Sequence, residues 1–340
     1  MSPRARSAAA CALAAALALA AGARADEPPC IAQCRDLAAK KQLRDGLNEQ
    51  GCQVNICQMD GRNLYKEGKY KEALDTYAVI ADRLQTSPSF RFDRGLVYYS
   101  LGRFDEALLD FNVIVTESPD SFPAGAQRAH TLVRLGKLKD AREEFDKLLA
   151  SPAAEREFRG LRTKSYLTGN IGVIDVVNGD VSKGKQELED ALQQDGRNTL
   201  ASTYIYRVLP QVDKKTIDGP GILLLLGASE DVGIANRDAA RDAIEKLVQK
   251  YPKFPETYFL AAELYRGTGH FDECERLLLI GEKAIPDEVD LKAERIRCTL
   301  LKVGPTSPEA KEPITELKQL SFDHPDASLP KKILRALDIY

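Results

Sequence analysis

Between Val54 and Glu155 the apolar positions of this chain fall at helical spacing, and the pattern returns every 34 residues. Gly68, Gly102 and Gly136 are spaced in this way, as are Tyr70, Phe104 and Leu138; Ala73, Ala107 and Ala141; and Tyr77, Phe111 and Phe145. Each copy reads as a helix, a short turn carrying the glycine, and a second helix with small and aromatic residues on its buried stripe. The small residue marks the closest crossing of the two helices, where a short side chain lets the backbones approach, and the aromatic residue one turn on fills the space beside it. The glycine supplies the backbone angles that end the first helix. One such pair cannot bury both of its faces, whereas stacked neighbours can, so the pattern predicts an array of helix pairs.

The period and these residues resemble the tetratricopeptide repeat (TPR) family. In the copy from Pro88 to Ser121 the resemblance extends to Gly95 and Tyr98 on the first helix and to Pro119 at the close; in register with them stand Gly61 and Leu64 in the copy before, and Ala129 and Leu132 in the copy after. The resemblance implies an all-α, α–α superhelical solenoid of TPR and TPR-like helix pairs, with a concave face made by the first helices. Carried over position by position, that face holds Gln58, Arg62 and Tyr65, then Phe92, Leu96 and Tyr99, then Ala126, His130 and Arg134. Arg62, Tyr65, Phe92, Leu96, Tyr99, His130 and Arg134 are therefore the candidate partner-binding residues. For Phe92 and Tyr99, packing between adjacent first helices is an equal reading. The family's chaperone-tail clamp uses asparagine and lysine at these places, so Arg62, Leu96 and His130 argue against an acidic chaperone tail as the ligand.

The rest of the chain follows this frame less closely. Residues 1–25 read as a secretory signal peptide: Arg4 and Arg6 lead an apolar run from Ala8 to Ala21, and Ala23-Arg24-Ala25 offers small residues for cleavage. Residues 26–53 read as a cysteine-bearing capping hairpin, with one helix from Cys30 to about Arg44, a turn over Asp45–Gly51 and a second helix entering near Cys52. Residues 54–155 hold the three regular units. The next fitting glycine, Gly179, comes 43 residues after Gly136, which places nine extra residues within Ser151–Lys164. Residues 156–220 then form an irregular unit in which Asp175 and Gly184 stand where an apolar and an alanine-like residue are expected; a single apolar helix over Leu200–Leu209 and a loop over Pro210–Gly221 follow. Residues 221–288 recover the phase as two units, with Ile222–Leu226 a buried stretch of first helix. Residues 289–340 make a divergent helix pair, Val289–Val303 with Pro308–Leu320, and a terminal capping helix over Leu329–Leu337.

Composition and charge narrow the function. Hydrophobic residues make up 44% and charged residues 29% of the chain, a globular composition, and removing Arg4, Arg6 and Arg24 takes the net charge from −3 to −6. That sign disfavours nucleic acid or an anionic membrane as partner, and the apolar runs are too short for membrane insertion after the signal is removed. Six cysteines follow the signal, and an even count in an exported chain favours disulfides. Cys30 and Cys34 lie about one helical turn apart, and Cys52 and Cys57 can share a face. In an antiparallel hairpin the inner pair meets the inner and the outer the outer, which selects Cys34–Cys52 and Cys30–Cys57, closing loops of 17 and 26 intervening residues. A zinc site is the competing reading of these four, although its usual spacing is Cys-x₂-Cys. Cys274 and Cys298 fall on helices that pack together and permit a third bond, two buried thiols being the alternative.

Catalytic chemistry is absent from the pattern. His130, His270 and His324 are isolated in different units, no glycine-rich loop is followed by a phosphate-binding lysine, and no cofactor or metal site can be drawn. The chain reads as a non-catalytic scaffold or adaptor, secreted or periplasmic, that binds a protein or peptide on its concave face. The alternative is a thiol-redox or zinc-handling protein using Cys30, Cys34, Cys52 and Cys57.

Overall fold

The computed structural model describes residues 28–338 apart from 44–47, 159 and 235, so the expected signal peptide and part of the expected hairpin turn lie outside the described residues. The chain divides into two compact units, one ending at Arg128 and the other starting at Ala129.

The N-terminal unit holds α1 (Pro29–Ala39), α2 (Glu49–Lys66), α3 (Tyr70–Ala78), the short α4 (Ala81–Leu84), α5 (Pro88–Ser100), α6 (Phe104–Glu117) and the first half of α7 (Phe122–Arg134). The Asn48 side chain accepts the Gly51 N–H at 2.8 Å and starts α2. Gly68 ends it with φ of 75°. There the Lys69 N–H donates to the Leu64 carbonyl at 2.9 Å and the Gly68 N–H to that of Tyr65 at 3.0 Å, the paired bonds that satisfy the last carbonyls of a helix. Gly102 closes α5 in the same way, with φ of 72° and bonds from Arg103 to Tyr98 and from Gly102 to Tyr99. The 34-residue spacing of these glycines is thus the spacing of one helix stop.

A second glycine series sets the crossings. A Cβ on Gly61 would lie 2.1 Å from the Tyr77 ring, and one on Gly95 would lie 2.8 Å from the Phe111 ring. The aromatic residue of each second helix is therefore seated on a bare stretch of the first, and both Tyr77 and Phe111 are fully buried. Each such ring contributes on the order of 2 kcal/mol by burial. Asp110, also buried, is held between α5 and α6 by Arg94 at 2.7 Å and Arg91 at 3.1 Å.

At the N-terminal end, disulfides join Cys30 to Cys57 and Cys34 to Cys52, with Cα atoms 5.2 and 5.8 Å apart. These are the nested bonds expected of the stapled hairpin, and they tie α1 across α2. With all four sulfurs bonded, no thiolate is left for zinc.

The C-terminal unit continues with the second half of α7 and with α8 (Leu138–Leu149). The stretch that holds the nine extra residues forms a 3₁₀ turn, Pro152–Glu155, and a two-stranded hairpin of β1 (Glu157–Phe158) and β2 (Leu161–Arg162), in which Phe158 pairs with Leu161. Then come α9 (Thr163–Val177) and α10 (Val181–Gln194), a closely packed pair. A Cβ on Gly184 would lie 2.5 Å from the Gly172 carbonyl oxygen, so the residue that departs from the family pattern is the one that lets these backbones meet. Asp175, the other departure, is buried but paired with Arg142 of α8 at 2.7 Å and Lys183 of α10 at 2.8 Å.

The single helix expected over Leu200–Leu209 is three pieces: α11 (Thr199–Thr203), a π-helical turn over Tyr204–Val208 and α12 (Leu209–Asp213). The chain stays helical past Pro210, which sits in the first turn of α12 directly after the π turn. The expected loop over Pro210–Gly221 therefore shrinks to residues 214–218. The unit ends with α13 (Gly219–Gly233), α14 (Arg237–Lys250), α15 (Pro255–Gly267), α16 (Phe271–Ala284), α17 (Val289–Val303), α18 (Lys311–Asp323) and α19 (Ser328–Ala336). Ile222 and Leu225 of α13 are buried in its core, and Cys274 of α16 is joined to Cys298 of α17 with Cα atoms 6.3 Å apart.

Candidate functional site

The seven residues singled out from the first helices fall in different units and different environments. In the N-terminal unit, Arg62 is half exposed and reaches Asp93 at 2.6 Å and the Ser89 hydroxyl at 2.8 Å, so it bridges α2 and α5. Tyr65 is partly buried with its ring 5.5 Å from that of Tyr70. Phe92 and Leu96 pack on one side against the Phe111 cluster, the two phenyl rings 5.9 Å apart. Tyr99 is buried, with its ring 5.3 Å from Phe104 of the same helix pair; packing accounts for it.

In the C-terminal unit, His130 and Arg134 lie in one polar network. The His130 ring pairs with the Tyr166 hydroxyl and stands 3.4 Å from Glu230, and Arg134 donates to Glu230 at 3.3 Å and Asp231 at 3.0 Å. Burial raises the Asp231 carboxyl above the usual range, with Arg134 opposing it. The network ties α7 to α9 and α13.

A larger opening lies further along the same unit. A pocket of about 790 Å³ is walled by α13 and α15 and closed by the π turn and by the starts of α17 and α19. Its apolar wall includes Leu225, Leu226, Phe259 and Leu260, and its polar wall carries the carboxylates Glu256, Glu263, Glu288, Asp290 and Glu294 against the cations Arg207, Arg266 and Lys332. Arg207 pairs with Glu256 at 2.8 Å and lies over the Phe259 ring at 4.5 Å. Arg266 pairs with Glu294 at 2.7 Å, and its burial lowers the guanidinium below its usual range. Burial raises the carboxyls of Glu256, Glu288 and Asp290, and each is raised further or relieved by its neighbours: Glu256 by Glu263 and Glu288, Glu288 by Asp290, with Arg207 opposing all three.

Sequence reasoning missed this pocket although a signal for it exists. The unit from Pro255 repeats the one from Pro88 at a separation of 167 residues, which matches Gly102 with Gly269, Tyr98 with Tyr265 and Pro119 with Pro286. The same shift carries Phe92, Leu96 and Tyr99 onto Phe259, Glu263 and Arg266, and all three line the pocket. One unit earlier, Leu225 and Ser229 hold the equivalent positions and line it too. The first-helix register stands out only in the regular units, and beyond them it turns charged, at Glu263 and Arg266. The residues from the π turn had no such signal, because the repeat does not extend over them.

A fold of stacked helix pairs with a first-helix pocket defines a repeat protein of the α–α solenoid class. Residues 59–122 match the family model described as tetratricopeptide repeat, and the chain carries tetratricopeptide repeats. It is 30% identical over 105 residues to mouse (Mus musculus) RNA polymerase II-associated protein 3, covering 31% of this chain and 16% of that protein. It is 29% identical over 97 residues to human (Homo sapiens) DnaJ homolog subfamily C member 3, covering 28% of this chain and 19% of that protein. The chain thus matches less than a fifth of the length of either relative. A solved tetratricopeptide repeat protein from Parabacteroides merdae is similar at 13% identity with a TM-score of 0.40, over 84% of this chain and 98% of that one. Repeats of this kind serve in general as non-catalytic scaffolds for protein–protein interaction. Disulfides are the mark of an oxidising compartment, and among the described residues no helix is long and apolar enough to cross a membrane.

Proposed function

We propose that this chain is a non-catalytic adaptor that works outside the cytoplasm and binds a protein or peptide through its first-helix surfaces. The observation that carries the reading is the combination of tandem 34-residue helix pairs with a disulfide-stapled N-terminal hairpin. The apolar, arginine-led run over Met1–Ala25 supports export. In the N-terminal unit, Arg62, Tyr65, Phe92 and Leu96 form the contact surface, with aromatic and arginine side chains of the kind that anchor interfaces. Tyr99 packs within the same helix pair, whereas His130 and Arg134 tie α7 to α9 and α13 in the C-terminal unit. The C-terminal unit offers a contact site of its own, the pocket walled by α13 and α15.

Affinity capture from an extract of the extracytoplasmic compartment tests the reading. The mature chain should retain a protein partner that a folded variant with Arg62→Ala, Tyr65→Ala and Leu96→Ala loses. Identical capture by the folded variant would remove the first-helix surface of the N-terminal unit from the account.

A further inference from the structure

The pocket in the C-terminal unit is short of positive charge. Arg207 and Arg266 are already engaged with Glu256 and Glu294, while Glu263, Glu288 and Asp290 line the same space and make no ion pair among the described residues. Lys332 stands close enough to moderate Asp290 but not to bond it. A surplus of carboxylates alone proves little, because acidic residues on a helix face are usually solvated. Here a second, independent feature points to a ligand. Tyr204 is 3% exposed and lines the pocket, yet its hydroxyl has no hydrogen-bond partner. Asp290 likewise keeps one buried carboxylate oxygen, Oδ1, without a partner. A buried polar atom left unmatched is destabilising, and native proteins keep few of them.

The element that holds Tyr204 is itself irregular. The π turn over Tyr204–Val208 brings Tyr204, Tyr206 and Arg207 onto the pocket wall, and such turns recur where a helix is bent to serve a site. Tyr206 is 71% exposed, an aromatic face turned to solvent. Beside the carboxylates lies the apolar wall of Leu225, Leu226 and Leu260. The required occupant has a cationic head that donates several hydrogen bonds, a stem that lies along apolar surface, and neighbouring apolar groups. A lysine or arginine side chain within a peptide meets all three demands; a free metal ion or a small polyamine lacks the apolar part.

We propose that this pocket binds a basic segment of a protein partner, seating a lysine or arginine side chain between Tyr204 and the carboxylates of Glu288 and Asp290, with its apolar neighbours on Leu225, Leu226 and Leu260. The proposal deepens the adaptor reading and rests on it. It assigns the ligand's chemistry: an extended, lysine- or arginine-bearing peptide.

Fluorescence anisotropy with a labelled Gly-Lys-Ala-Leu repeat peptide, and with its glutamate counterpart, tests the proposal on the whole mature chain. The lysine peptide should bind about tenfold or more tightly than the glutamate peptide, and added salt should weaken it. Glu288→Gln with Asp290→Asn should weaken it by about tenfold while leaving the thermal midpoint unchanged or raised, since the substitutions remove repulsion. Tyr204→Phe separates a binding role from a structural one: deleting an unpartnered hydroxyl should leave thermal stability intact and still weaken the peptide severalfold. Equal binding of the two peptides would overturn the proposal. So would undiminished binding by the folded variants, or displacement of the peptide by an equimolar amount of spermidine. Protein capture that is the same for wild type and the Glu288→Gln, Asp290→Asn variant would overturn the proposal while leaving the adaptor reading in place.

Discussion

Glu187 shows how one residue's charge depends on its neighbours. It lies largely buried on α10, 3.0 Å from Arg142, and shares that guanidinium with Asp175, which Arg142 meets at 2.7 Å. Asp146 and Lys183 complete the group. Burial and the adjacent Asp175 raise the Glu187 carboxyl to about 7, whereas Asp175, held by Arg142 and Lys183 against the penalty of its burial, is lowered. A carboxyl raised in the folded state favours the protonated form. Its stabilising contribution is therefore full below its unfolded value, near 4.5, and is lost as pH rises towards 7. Asp175 acts in the opposite sense and only in the acid range. Glu187→Gln, permanently neutral, should match wild type near pH 4.5 and exceed it by about 1–3 kcal/mol at pH 8, read from denaturant melts at the two pH values. A wild type more stable than the variant at pH 8 would mean that the Arg142–Glu187 pair outweighs the repulsion. Neither Asp175 nor Gly184 could be understood from the sequence alone. Asp175 is explained by Arg142, which lies 33 residues away, and Gly184 by the backbone of Gly172; both partners become visible only when the helices are in place.

At the level of elements, legibility follows local chemistry. Helix ends at Gly68, Gly102 and Gly136 were readable because a glycine stop needs only its own turn, and the nested bonds Cys30–Cys57 and Cys34–Cys52 were readable because a hairpin leaves one pairing that ties its helices together. The inserted residues were legible as a number and not as a β-hairpin, since a two-residue strand has too few positions to show alternation. The π turn was invisible, as one extra residue in a helical ring leaves no pattern. The stapled hairpin has a direct consequence. In the chain-entropy model each bond contributes roughly 3 kcal/mol, and it does so where α1 covers the first of the regular repeats. Reduction should fray residues 54–87 and leave the helices beyond Pro88 largely protected, as read by hydrogen exchange with and without reductant. Unchanged protection over residues 54–87 would show that the hairpin is not a structural cap.

For the whole molecule, fold and function differ in how much the sequence reveals. The all-α repeat architecture is written several times over in the chain, so a few matching positions suffice to recognise it. The candidate site is written once, as a charged variation on the first-helix register at Glu263 and Arg266, supplemented by residues from an irregular segment. Partner identity depends on surface chemistry, which the repeat leaves free to vary. The adaptor reading depends on compartment above all, because bonded cysteines and an extracytoplasmic partner require the same oxidising surroundings. Intact-mass spectrometry of the chain isolated from its native cells, with thiols alkylated at lysis, tests this most directly. The account predicts a chain beginning at Asp26 in which the six cysteines take up no alkylating agent. A chain that retains Met1–Ala25 and carries alkylated Cys30, Cys34, Cys52 and Cys57 would contradict it.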